Sequence, residues 1–177
     1  GYSVGFLMVI LARQQLFTES TLTVMLPVLA EPSRARYRAA GRVWGVVLAA
    51  NMAGTAVFAY AVAADAIFPE TYREGMRAVA LHLMEDDAAT LFWRAIVSGW
   101  LVATVVWLLP SSENAAFFVI ATITYLIALF GLTHIVAGAV DVFLLVFTGD
   151  IGLGPALATF FLPTLAGNIV GGSALFA

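Results

Sequence analysis

Five long apolar tracts, separated by short polar connections, constrain this chain more than any other feature. A segment that crosses the hydrocarbon core of a bilayer needs ~20 apolar residues. Only 11% of the residues are charged, whereas soluble domains carry about 25%. The chain is therefore predicted to lie mostly in lipid. The tracts run from Tyr2 to Ala30, Val43 to Phe68, Leu91 to Leu109, Ala115 to Phe147 and Pro155 to Ala177.

The tracts are predicted to be helices. In lipid, only helices and closed barrels satisfy every backbone polar group, and barrel strands alternate apolar with polar residues, which these tracts do not. The predicted fold class is an all-α polytopic membrane protein. Because the sequence opens and closes inside apolar segments, we expect residues 1–177 to be a single transmembrane channel domain, truncated at both ends.

The connections between the tracts predict an orientation. The segment "EPSRARYRAAGR", residues 31–42, holds four arginines, and short arginine-rich loops stay in the cytoplasm. The next connection, residues 69–90, is mainly acidic and is predicted to be external. By the same alternation "PSSEN" is predicted to be cytoplasmic and "TGDIGLG" external.

Two of the tracts are interrupted by a short polar segment. The first contains "LFTEST", residues 16–21, and the fourth contains "LFGLTH", residues 129–134. Each is followed by Asn-x-x-Gly, at Asn51 and Asn168, after 35 and 39 positions. Because the two tracts would enter the membrane from opposite sides, they are predicted to be inverted copies. Discontinuous helices from two such repeats meet near the midplane in transporters.

His134 and Asp141 are ionisable residues within an apolar tract. A functional role is the default hypothesis for such residues in a membrane. An unperturbed histidine exchanges protons near neutral pH, so His134 is a candidate pore residue. It could instead bind a carbonyl and pin the break. Asp141 would share its helix face and disfavour anions. Alternatively, it lies near the external mouth or pairs with an arginine.

Arg13 and Glu19 flank the first interruption. Arg13 could bind carbonyls at the break, pair with Glu19 or Asp141, or supply a positive field for anions. Glu19 is expected to cap the second half-helix, since an acid near a helix N-terminus suits the dipole.

The segments "LFTES", "NMAG", "GLTHIVAG" and "LPTLAGNIVGG" resemble the formate/nitrite transporter family. That family forms pentamers of six-span protomers with one aquaporin-like pore each. The resemblance runs from the second span into the sixth. It implies an aquaporin-like fold of inverted repeats with two broken helices, a homopentamer, and a bacterial inner (plasma) membrane location.

The resemblance also implies residue roles. In the family, the pore histidine is thought to share a proton with a weak-acid anion such as formate or nitrite. The implied pore centre is Thr18 with His134, the constriction is Leu16 with Phe17, and the residues supporting the breaks are Asn51 and Asn168.

The sequence departs from the family pattern at several of these places. Thr133 stands where the family usually has an acid, and Gly138 where it has an asparagine. The small and acidic run before "LFT" is replaced by Arg13-Gln14-Gln15. Asn114 or Ala115 replaces a vestibule lysine. These changes resemble a divergent, YfdC-like branch. The candidate selectivity positions are therefore Thr133, Gly138, Asp141 and Arg13.

The predicted function is a membrane channel or transporter for a small monovalent anion or its neutral acid, with proton-linked passage at His134. The alternative is a channel of the same fold for water, a neutral solute or a cation, which Asp141 and the missing lysine would favour. An enzyme is not expected, because the chain has no cysteine and only two histidines. We expect no cofactor, metal or nucleic-acid partner, only the permeant and the bilayer.

Overall fold

The computed structural model describes residues 1–176, and that part of the chain is helical with no strand. The predicted all-α fold is confirmed. Three helices are long and apolar enough to cross a membrane: Arg34–Ala63, Ala88–Ser111 and Leu153–Ala174. The α-helices are α1 (Tyr2–Leu11), α2 (Phe17–Thr23), α3 (Met25–Ala30), α4 (Arg34–Ala63), α5 (Glu70–Leu83), α6 (Ala88–Leu108), α7 (Ala116–Leu129), α8 (Ile135–Thr148), α9 (Leu153–Ala156) and α10 (Leu162–Ile169).

The last helical rod contains two π-helical segments. Leu157–Phe161 joins α9 to α10, and Val170–Ala174 continues α10. A π-helical segment accommodates one extra residue within an α-helix and is frequent at functional sites. Side chains on either side of Leu157–Phe161 are therefore shifted relative to an uninterrupted helix.

An interruption is present in each of the two tracts, but the position predicted for the first, residues 16–21, is wrong: the break lies at residues 12–16, and Phe17–Thr21 belong to α2. The first tract breaks between α1 and α2, and the fourth breaks between α7 and α8. At the first break the Gln14 N–H donates to the Val9 carbonyl, and at the second the Leu132 N–H donates to the Ile127 carbonyl. In both cases the equivalent residues are 118 positions apart, so the two breaks are copies of one backbone turn.

The structure corrects the register of the repeat. The sequence comparison paired the two Leu-Phe segments, which places Leu16 opposite Leu129. In the structure, Leu16 and His134 are equivalent, because each is the N-cap of the half-helix after its break, with extended backbone angles of −112°, 131° and −124°, 125°. The pairing of the two Leu-Phe dipeptides is wrong, because Leu129 and Phe130 lie at the end of α7, before the second break.

The two first helices of the repeats, α1 and α7, pack against each other. The Ser3 hydroxyl donates to the Ala121 carbonyl over 3.3 Å, and these residues are themselves 118 positions apart. Contact between equivalent residues is expected at the axis that relates two repeats. The inverted arrangement therefore brings the two breaks to opposite sides of this contact.

Close packing of the last rod on α6 depends on glycines. A Cβ atom at Gly167 would lie 2.5 Å from the Phe92 carbonyl oxygen, and one at Gly171 would lie 2.0 Å from that of Ile96. Small residues allow such close helix contact in membranes. The approach brings Asn168, on the same rod, within hydrogen-bond distance of the α6 backbone.

Helix α5 lies in the connection predicted to be external and packs against α8. Two arginines fix it: Arg73 pairs with Asp65 after α4, and Arg77 pairs with Asp150 after α8. Hydrogen bonds from Arg77 and the Thr148 hydroxyl lower the pKa of Asp150 to about 2. Asp150 is therefore ionised at neutral pH, and two ion pairs, one turn apart, connect α5 to the segments after α4 and α8.

Candidate pore centre

Thr18 and His134, the predicted pore centre, lie in contact. Thr18 is the second residue of α2, and His134 is the N-cap of α8. The Thr18 Oγ1 atom lies 2.7 Å from the His134 Nε2 atom, and both side chains are buried. Residues from opposite repeats, 116 positions apart, thus form one polar pair inside an apolar protein.

The hydrogen bonds of the His134 ring define its neutral tautomer. The Ala137 backbone N–H donates to Nδ1 over 3.1 Å, so Nδ1 carries no hydrogen. In the neutral ring the hydrogen is then on Nε2, which donates to the Thr18 hydroxyl oxygen. Since that oxygen accepts from the ring, the Thr18 hydroxyl hydrogen is directed away from His134 and is available to a further acceptor.

Asn168 holds the second break. Its Oδ1 accepts from the Ile135 N–H over 2.8 Å, and its Nδ2 donates to the Thr133 carbonyl over 3.1 Å. Nδ2 also donates to the Ala95 carbonyl of α6 over 2.8 Å. The fully buried amide therefore spans His134 from both sides and ties the break to a neighbouring helix.

Asn51 makes the matching contacts at the first break. Its Oδ1 accepts from the Phe17 N–H over 2.9 Å, and its Nδ2 donates to the Gln15 carbonyl over 3.1 Å. The residue spanned is Leu16. The structure thus places each predicted supporting asparagine around one break, with a histidine in one repeat and a leucine in the other.

Apolar side chains surround the polar pair. Leu16 and Phe17 are buried; Phe17 lies edge-on to Trp44, with ring centroids 6.3 Å apart. Leu16 packs in a cluster with Phe6, whose ring lies edge-on to His134 at 5.0 Å. The predicted constriction residues therefore lie next to the Thr18–His134 pair.

Two cavities reach His134. One, of about 330 Å³, opens toward α5 and is also lined by Thr133, Gly138 and Asp141. The other, of about 210 Å³, is lined by Leu16 and the aliphatic face of α8. We call the first the α5-side cavity. It brings three of the four predicted selectivity residues together with His134, and its rim carries the Asp86–Arg94 ion pair.

Arg13 is separate from this group. It lies on the surface with a left-handed backbone conformation, φ 54°. Within residues 1–176 its guanidinium forms neither of the ion pairs considered for it, with Glu19 or with Asp141. The exposed position follows from the tight turn after α1, which directs residue 13 out of the helix packing.

Three other expectations are refined. Glu19 does not cap α2: Leu16 is the N-cap without a side-chain bond, and the buried Glu19 Oε1 has no partner among the described residues. Asp141 forms no ion pair with an arginine in that part of the chain and lines the α5-side cavity instead. The Thr133 hydroxyl donates to the Leu91 carbonyl over 2.7 Å, so it anchors the break.

Beyond Leu16 and Phe17, sequence reasoning did not identify the large, mainly apolar residues that line the cavities. Tyr2 lines both cavities, and Phe160 and Leu83 line the α5-side cavity. Apolar residues in an apolar helix carry no pattern that distinguishes a cavity from lipid or core.

These features define a class: helical membrane proteins built from two inverted repeats, each with one interrupted helix directed at a shared central site. The profile of the formate/nitrite transporter family matches residues 1–177. The chain belongs to the formate/nitrite transporter family.

Individual relatives agree with this assignment. The chain is 45% identical over 177 residues to inner membrane protein YfdC of Escherichia coli (strain K12), which covers 100% of this chain and 57% of that protein. It is 26% identical to a probable formate transporter of Methanothermobacter thermautotrophicus, over 99% of this chain and 70% of that protein. The chain thus spans little more than half the length of the Escherichia coli relative.

Among solved structures, a pentameric formate channel with formate bound matches with a TM-score of 0.80 and 21% sequence identity. The match covers 98% of this chain and 76% of the channel. This likeness establishes the fold, and with it the expected aquaporin-like arrangement of inverted repeats.

Proposed function

We propose that this protein is a channel for a small monovalent anion, or for its neutral acid, with Thr18 and His134 at the centre of the pore. The observation that carries the proposal is their 2.7 Å contact, at a histidine that lines two cavities. The family, and the relative described as a probable formate transporter, support an anion of this size.

The apolar residues beside the pair give the selectivity of the proposed pore. Leu16 and Phe17 form the constriction, and a narrow apolar passage resists ions that must lose their hydration to cross it. A weak acid crosses such a passage more easily in its neutral form. The Thr18 hydroxyl, whose hydrogen points away from His134, would donate to an oxygen of the carboxylate or nitrite before the anion is protonated.

His134 is proposed to supply or share the proton. The doubly protonated ring carries a hydrogen on Nδ1, so it cannot accept from the Ala137 N–H. Proton uptake at His134 is therefore coupled to loss of the N-cap of α8. This coupling distinguishes two roles: a histidine that takes up a proton loses its N-cap bond, whereas a histidine that only caps α8 keeps it.

Two substitutions at His134 test the proposal. His134→Asn removes the titratable ring but retains a strong N-cap residue, whereas His134→Ala removes both. Uptake of formate into proteoliposomes should lose its pH dependence in both variants, with more residual flux in His134→Asn. An unchanged pH profile in His134→Ala would leave the histidine a structural role only.

Asp141 favours a second candidate, a channel of the same fold for water, a neutral solute or a cation. Its carboxylate lines the same cavity as His134 and makes no ion pair with an arginine of the described chain, and a carboxylate ring or wall favours cations. Stopped-flow measurements with formate, nitrite, glycerol and water, on the wild type and Asp141→Asn, separate the two. Anion flux that rises in Asp141→Asn supports the first candidate.

The remaining proposals concern the whole protein. We propose a homopentamer in the bacterial inner membrane, supported by the pentameric formate channel of the same fold and by the inner membrane relative. Residues 31–42, most of which form the start of α4, are proposed to be cytoplasmic, and residues 69–90, which contain α5, are proposed to be external. Cysteine substitutions in the two segments, labelled from outside intact cells, test the orientation. Transport rather than catalysis is the proposed activity.

A further inference from the structure

Gly138 lines the α5-side cavity without a side chain. It lies one turn after His134 on α8, and both line the α5-side cavity. A Cβ atom at Gly138 would lie 2.5 Å from Cζ and 2.9 Å from Cε2 of Phe160. Such distances do not occur between real atoms, so the Phe160 ring fills the volume of a side chain at position 138.

Phe160 is brought there by the π-helical segment Leu157–Phe161. In the first repeat Trp44 lies seven positions before Asn51, and its Nε1 donates to the Ser20 carbonyl over 3.0 Å. In the second repeat Phe160 lies eight positions before Asn168 and contacts Gly138. Ser20 and Gly138 are equivalent, because each lies four residues after the residue at its break.

The π-helical segment thus supplies the extra residue that places an aromatic ring over the second half-helix. Phe160 is fully buried and lines the α5-side cavity. Its neighbour Phe161 packs instead against Phe143, with ring centroids 4.9 Å apart, and does not line that cavity. Two consecutive phenylalanines therefore have different environments, which provides a matched control.

Leu83 completes the wall opposite Phe160. Its Cδ2 atom would lie 3.5 Å from a Cβ atom at Gly138. Leu83 is the last residue of α5, the helix that the Arg73–Asp65 and Arg77–Asp150 pairs hold in place. Phe160 and Leu83 therefore place apolar groups beside Gly138 in a cavity that polar residues also line.

We propose that Phe160, seated against Gly138 and facing Leu83, is the residue that sets the size limit for permeants on the α5 side of His134. This inference rests on the proposed channel function. The ring occupies the volume of a side chain at position 138, and we expect its removal to admit permeants that carry an added methyl group.

The test uses the full-length protein in proteoliposomes with formate and acetate as probes. Phe160→Ala should raise the ratio of acetate to formate flux about tenfold, because one added methyl group is worth that much discrimination in a fitted pocket. Phe161→Ala, with the same change of volume, should leave the ratio unaltered. Phe160→Leu serves as the milder variant and should give an intermediate ratio.

A second measurement does not depend on flux. Gly138→Ala should lower the melting temperature of the purified protein, and Phe160→Ala should remove most of that loss in the double variant. Additive effects on the melting temperature would overturn the contact between the two positions. If the wild type carries neither probe, the channel proposal fails and this one with it. A wild type that carries formate, with an equal flux ratio in Phe160→Ala and Phe161→Ala, overturns only the size limit.

Discussion

Arg13 and Gly131 have the same left-handed backbone conformation, with φ angles of 54° and 58°, at equivalent positions of the two breaks. Glycine adopts this conformation freely, whereas a residue with a Cβ atom does so at a cost of about 1 kcal/mol. The same turn is therefore relaxed in the second repeat and strained in the first. An arginine in a strained backbone position is a candidate for a functional role.

Arg13→Gly should stabilise the protein by about 1 kcal/mol, because it removes this strain. The melting temperature of the purified protein in detergent measures the effect. Arg13→Asn, which also tolerates the left-handed conformation, removes the charge without glycine's added flexibility. If both variants are more stable but carry less anion, Arg13 supplies a positive field. A lower melting temperature in both would contradict the strain.

Asn168→Ala should destabilise the protein more than Asn51→Ala. Asn168 is fully buried and its loss leaves the Ile135 N–H and two carbonyls without a partner, at a cost of about 3 kcal/mol. Asn51 is half-buried and makes two bonds, so its loss should cost about 1 kcal/mol. Melting temperatures, with oligomer size measured by chromatography, compare the two variants. Equal losses of melting temperature would show that the deeper burial of Asn168 does not make its hydrogen bonds more important.

Thr18→Val should reduce formate uptake at least about tenfold, because valine has the shape of threonine but cannot accept from His134 Nε2 or donate to a permeant. Thr18→Ser keeps the hydroxyl and should retain most of the flux. Proteoliposome uptake at fixed pH measures both variants. Similar flux in Thr18→Val and the wild type would remove Thr18 from the pore centre.

The extent to which the sequence determined these results varies with the kind of residue. Both breaks and both asparagines were predictable, because polar residues in an apolar helix need partners. The Thr18–His134 contact followed from the family resemblance. The register of the repeat was not predictable from letters, since Leu16 corresponds to His134, which shares none of its chemistry.

The rest of the site depended on packing that no local pattern encodes. Phe160 and Phe161 are adjacent and identical in sequence, yet only one lines the cavity. The difference arises from the π-helical segment Leu157–Phe161, which accommodates one extra residue. The periodicity of apolar residues does not predict such a segment. Glu19 likewise lies in the first turn of α2, where an acid is favourable. The N-cap residue is Leu16, however, and no side chain caps this helix.

The clamp between Arg77 and Asp150 gives a prediction on pH. The pKa of Asp150 is lowered from its ordinary 3.8 to about 2 by its bonds to Arg77 and Thr148. A lowered pKa means that the ionised form is stabilised in the folded protein. The contribution is therefore fully present above about pH 4 and is lost as the pH falls through about 2.

Asp150→Asn should accordingly lower the melting temperature by the same amount from pH 7 to about pH 5, and the gap to the wild type should close below about pH 4. Glu74→Gln removes a carboxylate from the same helix and tests whether overall charge alone produces the effect; its gap should be small at every pH. Arg77→Gln should match Asp150→Asn, and the double variant should add little, since both changes break one pair. A gap for Asp150→Asn that persists unchanged at the lowest pH would show that α5 is held by its apolar contacts with α8 and not by this ion pair.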